Sequence, residues 1–308
     1  MARTISRTAT FTGVGLHGGQ PVRLSICPAP ADAGIVFHRT DVTGDAGRVP
    51  ARFDLVVDTR LCTHLANAHG VGVGTVEHLM AALAGCGVTD ALIRLDGPEV
   101  PIMDGSAAPF ADAILAAGVR DLGGPHRAIR IRRPVRVDLG DRSAALYPAA
   151  RFDMGFRIAF DDAAIGAQAL SLSLTGDGVI DALADCRTFG RLAEVERLRA
   201  HGLGLGGGLE NAIIVDGDRV LNPGGLRRPD EFVRHKMLDA VGDLYLAGAP
   251  IIGRYAGDRA GHEVTNRLLH ALFAETDAWE WVVAAPDLVP MPSTVREQVT
   301  PPAAAMAV

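Results

Sequence analysis

The chain has 308 residues, 48% of them hydrophobic and 21% charged, and a formal net charge of -6. That composition describes a folded globular protein large enough for one large or two medium cores, and it excludes disordered and fibrous classes. The acidic balance argues against a nucleic-acid partner, which would need a basic surface; the densest basic run, "RAIRIRRPVR" at Arg127–Arg136, alternates as a strand with one solvated face does.

The N-terminal "MARTISRTATFTG" lacks the apolar core of a secretory signal, and no apolar run approaches the roughly 18 residues of a membrane span. A cytoplasmic protein is expected. Cys27, Cys62, Cys86 and Cys186 have no paired spacing, which suits a reducing compartment and structural thiols. The first third reads as short strands, "VRLSICPAP" and "GIVFHRTD", then a helix from about Thr75 to Ala84 and a strand at Asp90–Gly97. A second helix is predicted within Met103–Val119, with Pro109 near its start. "DLGGPHR" at Asp121–Arg127 is the best linker, because Gly-Gly-Pro breaks helix and strand alike. Strands resume in "AIRIRRPVRVDL", "SAALYPA" and "FRIAF", and a Pro- and Ala-rich tail after about Pro290 is expected to fray. Domains are therefore expected at 1–124 and 125–290, followed by a tail at 291–308. A shift of 157 positions places Val76–Gly85 on Val233–Gly242 with four identities, a match that either chance or duplication explains.

The chemistry concentrates on two helical stretches. In "TVEHLMAALAG" only Glu77 and His78 are titratable, and a buried unpaired carboxylate is costly. Two readings follow: Glu77 caps the helix beside Thr75, or His78 binds a metal with Glu77 next to it. "RHKMLDAVGDLY" at Arg234–Tyr245 places His235, Asp239 and Asp243 at i, i+4 and i+8 on one stripe, opposite an apolar face. His235 and Asp239 are either a solvated pair or a chelate. With His78 they make two imidazoles and a carboxylate, and a fourth position left open marks a catalytic zinc; iron suits the same donor set. Glu77 would then be the base. His262, after Gly261 at a probable helix start, is either a cap or a proton carrier partnered by Asp243. Thr188 in "DCRTFG" offers a hydroxyl to an oxyanion. The glycine-rich Gly202–Asp216 matches no phosphate-loop spacing and reads as room for something bulky or as a plain loop.

In order along the chain, "GVGLHGG", "TVEHLMAAL", "VPIMDGSAAPF", "CRTFG", "DEFVRHKMLDAVGDLYL" and "GHEVTNRLL" resemble the UDP-3-O-acyl-N-acetylglucosamine deacetylases, zinc amidohydrolases of lipid A synthesis. The resemblance implies an α+β fold of two similar domains, each a β-sheet with paired helices, packed as a β-α-α-β sandwich. It implies zinc on His78, His235 and Asp239, Glu77 as base, His262 as acid oriented by Asp243, and Thr188 as oxyanion donor. Phe189 and Lys236 would touch an acylated UDP-sugar, and an insert at about 190–216 would line a passage for its acyl chain. A monomer working near the membrane surface is expected. Arg191 and "DDAAIG" at Asp161–Gly166 depart from the family's usual apolar residue and His-Pro pair. Two rivals remain: an amidohydrolase of another N-acyl substrate, and a non-catalytic sugar-nucleotide or lipid-binding module with a structural metal.

Overall fold

A computed structural model describes residues 2–290; the Pro- and Ala-rich tail lies outside the described residues. Two sheets organise the chain. In the first, Ala9–Val14, Pro21–Pro28, Ala91–Leu95, Ile35–Arg39 and Arg48–Pro50 lie side by side, with one parallel pair, Ile35–Arg39 against Ala91–Leu95. Period-two patterning makes these strands: Val22, Leu24 and Ile26 are buried, while the residues between them are exposed or half-buried. In the second, seven-stranded sheet, Ile251–Asp258 pairs with Arg142–Tyr147 and, in parallel, with both Arg127–Ile131 and Phe152–Ala159.

The expected strand "AIRIRRPVRVDL" is in fact two strands. Arg127–Ile131 pairs with Trp279–Val283, whereas Val135–Leu139 pairs with Arg142–Tyr147. Pro134 stands between them, where a missing N–H and a fixed φ interrupt a ladder. The expected linker also begins later than Asp121, which still pairs with Arg3 in the small ladder of Arg3–Ile5 and Val119–Asp121.

Six α-helices lie among the described residues: α1 (Glu77–Gly85), α2 (Ala108–Ala117), α3 (Gly178–Leu183), α4 (Leu192–Ala200), α5 (Glu231–Tyr245) and α6 (His262–Ala274). Pro109 opens α2 and Gly118, at φ +79°, closes it. The helices α1 and α5 pack on each other between the sheets, and one hydrophobic cluster joins both to the inward faces of the two sheets. This is the mixed α+β architecture implied by the sequence resemblance. Every residue of α1 is buried, and in α5 all but Arg234 and Lys236 are. The polar stripe of α5, His235, Asp239 and Asp243, is therefore buried.

Gly242 sets how close the two helices come: a Cβ there would lie 2.0 Å from the carbonyl oxygen of Glu77. At the far end of the crossing, Tyr245 donates its hydroxyl proton to the carbonyl of Val88 at 2.8 Å. No helix among the described residues is long and apolar enough to cross a membrane.

Candidate active site

The crossing of α1 and α5 brings together the two stretches that carry the chemistry. His78 and His235, superposed by the 157-position shift, meet edge to face with ring centroids 5.0 Å apart. Asp239, one turn beyond His235, places Oδ1 at 3.3 Å from His235 Nε2 and 3.5 Å from His78 Nε2. One donor atom from each of the three lies within 4.8 Å of the others. Bonds of about 2.0–2.1 Å at tetrahedral angles put donors roughly 3.3 Å apart, so this spacing fits a single first-row ion.

The protonation states agree with that fit. Burial outweighs the opposing charge of Asp239 and lowers the His235 pKa to about 4, so its imidazole is neutral and able to ligate at pH 7. Its Nδ1 donates to the carbonyl of Cys186 at 3.1 Å, which aims Nε2 at Asp239. Burial would raise Asp239, but the adjoining His235, the Lys236 ammonium and a hydrogen bond from His78 hold its carboxyl well below the usual range. Lys236 Nζ donates to Asp239 Oδ2 at 2.6 Å; burial would lower that ammonium's pKa, and the adjoining carboxylate raises it.

Two further carboxylates stand behind the three donors, and Glu77, His78, His235, Asp239 and Asp243 each expose no more than 5% of their surface. Glu77 does not cap α1: the cap residue is Val76, without a side-chain bond, and Glu77 Oε2 accepts the Thr63 N–H at 3.0 Å. Burial pushes the Glu77 carboxyl upward, partly offset by the charges of His262 and His78. Asp243 Oδ2 accepts from His262 Nδ1 at 2.8 Å. Burial would make the His262 imidazolium less stable, yet the charge and hydrogen bond of Asp243 raise its pKa to about 9. Glu77, Asp239 and Asp243 thus stand around one ammonium and one imidazolium, acid-rich surroundings that favour a bound cation.

Glu77, His78, His235, Lys236, Asp239 and His262 line a cavity of about 710 Å³ together with Thr188, Phe189, Phe160, Arg142 and Arg191, and Asp243 reaches it only through His262. Thr188 is fixed by backbone bonds, its N–H to the Gly105 carbonyl and its own carbonyl from the Ile213 N–H, both at 2.8 Å. The Phe189 ring packs edge-on against Phe232 at 5.0 Å and Phe160 at 5.6 Å. Residues 202–212 carry no helix or strand but are anchored, since Leu205 and Gly206 donate to the carbonyls of His17 and Leu16, and Ile213–Asp216 runs parallel to Phe189–Arg191. Arg191 pairs with Asp162 at 3.4 Å and with Glu194, so the two departures from the family pattern are bonded to each other. A second cavity of about 460 Å³ shares Arg60, Leu61 and Thr75 with the first.

Every residue expected at the site from sequence lies on this cavity or bonds to a group that does. Thr63 was not anticipated, although it bonds both Glu77 and Asp243; its only signal was proximity to Cys62 in "DTRLCTHL". Burial and the charge of Glu77 push the Cys62 thiol up to about 12, which disfavours the reactive thiolate. No disulfide joins Cys27, Cys62, Cys86 or Cys186.

Comparison with known proteins agrees with the geometry. Residues 2–274 match the family model described as LpxC, UDP-3-O-acyl N-acetylglycosamine deacetylase. A UDP-3-O-acyl-N-acetylglucosamine deacetylase of Phenylobacterium zucineum (strain HLK1) is 53% identical over 285 residues, 92% of this chain and 97% of that protein. One of Acidithiobacillus ferrooxidans is 49% identical over 282 residues, 91% of this chain and 92% of its own length. A third, from Shewanella sp. (strain W3-18-1), is 46% identical over 282 residues.

Proposed function

Because the chain belongs to the UDP-3-O-acyl-N-acetylglucosamine deacetylase family, we propose that the cavity at the α1–α5 crossing is its active site, with zinc on His78, His235 and Asp239. The reaction is hydrolysis of the acetamide of an acylated UDP-sugar, a step of lipid A biosynthesis that frees acetate and the 2-amine. The observation that carries the site assignment is the convergence of three metal donors, Glu77 and His262 on one cavity.

Each group's role follows from its surroundings. When bound, the dication supplies Lewis acidity: it lowers the pKa of water toward about 7, polarises an amide carbonyl and favours the ionised form of Glu77. Glu77 takes the proton of the attacking water, and its desolvated carboxylate is a stronger base than one in solvent. Thr188, held by its backbone, donates its hydroxyl proton to the oxyanion of the tetrahedral intermediate. His262, protonated at neutral pH and oriented by Asp243, gives its proton to the departing amine. Lys236 balances Asp239 and, with Phe189, borders the sugar. The segment 191–216 borders the acyl chain.

In this reading the enzyme is a cytoplasmic monomer whose domains, 1–124 and 125–290, contribute one metal-binding helix each. Acetate release from the acylated sugar nucleotide, measured beside metal content, tests it. The expected result is one zinc per chain and turnover that collapses when the O-linked acyl chain is removed. A metal-loaded protein that releases no acetate overturns the assignment.

A further inference from the structure

We infer that Thr63 is a positioning residue of the deacetylation, fixing the base carboxylate and the Asp243–His262 pair relative to each other; the inference rests on the roles proposed above for Glu77 and His262. Thr63 is 2% exposed and sits just ahead of the short strand His64–Ala66. All three of its polar groups bond to the helices that carry the chemistry. Its N–H donates to Glu77 Oε2 at 3.0 Å, its hydroxyl donates to Asp243 Oδ1 at 2.5 Å, and its carbonyl accepts the Val76 N–H at 3.4 Å.

The hydroxyl bond is the informative one. A buried threonine that only needed to satisfy its hydroxyl would find a backbone carbonyl sufficient, as side-chain hydroxyls most often do. Here the acceptor is a buried carboxylate 180 residues away, and the bond is short and charge-assisted. Asp243 therefore commits Oδ1 to Thr63 and keeps Oδ2 for His262. Glu77 likewise commits Oε2 to Thr63, leaving Oε1 for the cavity. One residue sets the orientation of both proton-handling groups, one on α1 and one acting through α5.

The carbonyl bond adds a second constraint. Val76 follows Thr75, a β-branched residue at φ +58°, a backbone conformation such residues rarely adopt. That turn sets where α1 begins and so where Glu77 and His78 point. Thr63 holds its far side, while Glu99 accepts the Thr75 hydroxyl at 2.9 Å on the near side.

The test is steady-state kinetics on the zinc-loaded enzyme with the acylated sugar nucleotide. Thr63→Val keeps the backbone bonds and removes the hydroxyl; kcat should fall about tenfold or more with KM and metal content unchanged. Thr63→Ser should restore most of that rate. In an Asp243→Asn background Thr63→Val should have almost no further effect, because its partner's charge is already gone. The downfield proton resonance of His262 Nδ1 should shift in Thr63→Val and return in Thr63→Ser. A Thr63→Val enzyme with unchanged kcat, a full additional loss in the Asp243→Asn background, or a loss that serine does not repair would overturn the inference. Failure of the underlying roles looks different: Glu77→Gln or His262→Gln would then keep wild-type turnover.

Discussion

At the scale of single residues, the assignment separates groups that hold the ion from groups that move protons, and substitution distinguishes them. Glu77 is adjacent to His78 but bonds Thr63 and faces the cavity, so Glu77→Ala should retain the metal while kcat drops by a factor on the order of 10²–10⁴. Metal analysis beside turnover checks this, and unchanged activity would remove Glu77 as base. For His262 the sign of the pH effect follows from the shift. As an acid it must carry a proton, and its pKa of about 9 keeps it protonated through neutral pH, with activity lost as pH rises through that value. Asp243→Asn deletes the charge that opposes burial, so the alkaline limb of kcat/KM should move to lower pH by about one unit or more. An alkaline limb that stays in place would show that it belongs to another group. Among the titratable residues of the site, His235, Asp239 and Asp243 were legible from helical spacing, and Glu77 and His78 as the only titratable groups of an apolar stretch. His262 was legible from its place after Gly261, while the role of Lys236 came with the family resemblance. Thr63 was not legible, because threonine is an ordinary residue and its partners lie 14 and 180 positions away, a relation created by the fold.

At the scale of elements, the polar stripe of α5 was readable but its surroundings were not. Spacing shows that His235, Asp239 and Asp243 share a face; nothing local says that the face is covered by a helix made of small and apolar residues. Close approach needs a place without a side chain, and Gly242 supplies it against the Glu77 carbonyl. Gly242→Ala is expected to force α1 and α5 apart, costing about 1–3 kcal/mol by overpacking despite alanine's better helix propensity. The displacement falls on the backbone of Glu77 itself, so metal affinity should weaken together with the midpoint of thermal unfolding. A Gly242→Ala protein with wild-type unfolding and metal affinity would show that the crossing is not set here. Strand boundaries were the less legible elements. Pro134 divides one alternating run between two partners, and only tertiary pairing decides which ladder each half joins.

At the scale of the whole molecule, the donors come from both halves of the chain: His78 from α1, His235 and Asp239 from α5. Order along the chain made the family resemblance legible, and the 157-position shift already suggested that His78 and His235 could meet; the fold adds the direct packing of α1 on α5 and the edge-to-face contact of the two rings. An ion at their junction is a cross-link as well as a reagent. It binds the folded state and not the dispersed ligands of the unfolded chain, so it stabilises by about 4 kcal/mol at a thousandfold excess over its dissociation constant. Removing it also leaves the buried donors His78, His235 and Asp239 without their common partner, which adds to the loss. Chelation should therefore abolish acetate release and lower the unfolding midpoint by about 5–15 °C for a chain of this size. Added zinc should restore both, whereas His78→Ala should already unfold near the chelated midpoint and respond little to chelator. Equal midpoints for the loaded and stripped protein would mean that the ion does not hold the two helices together, and the cross-linking role would then be lost while the chemical one stood.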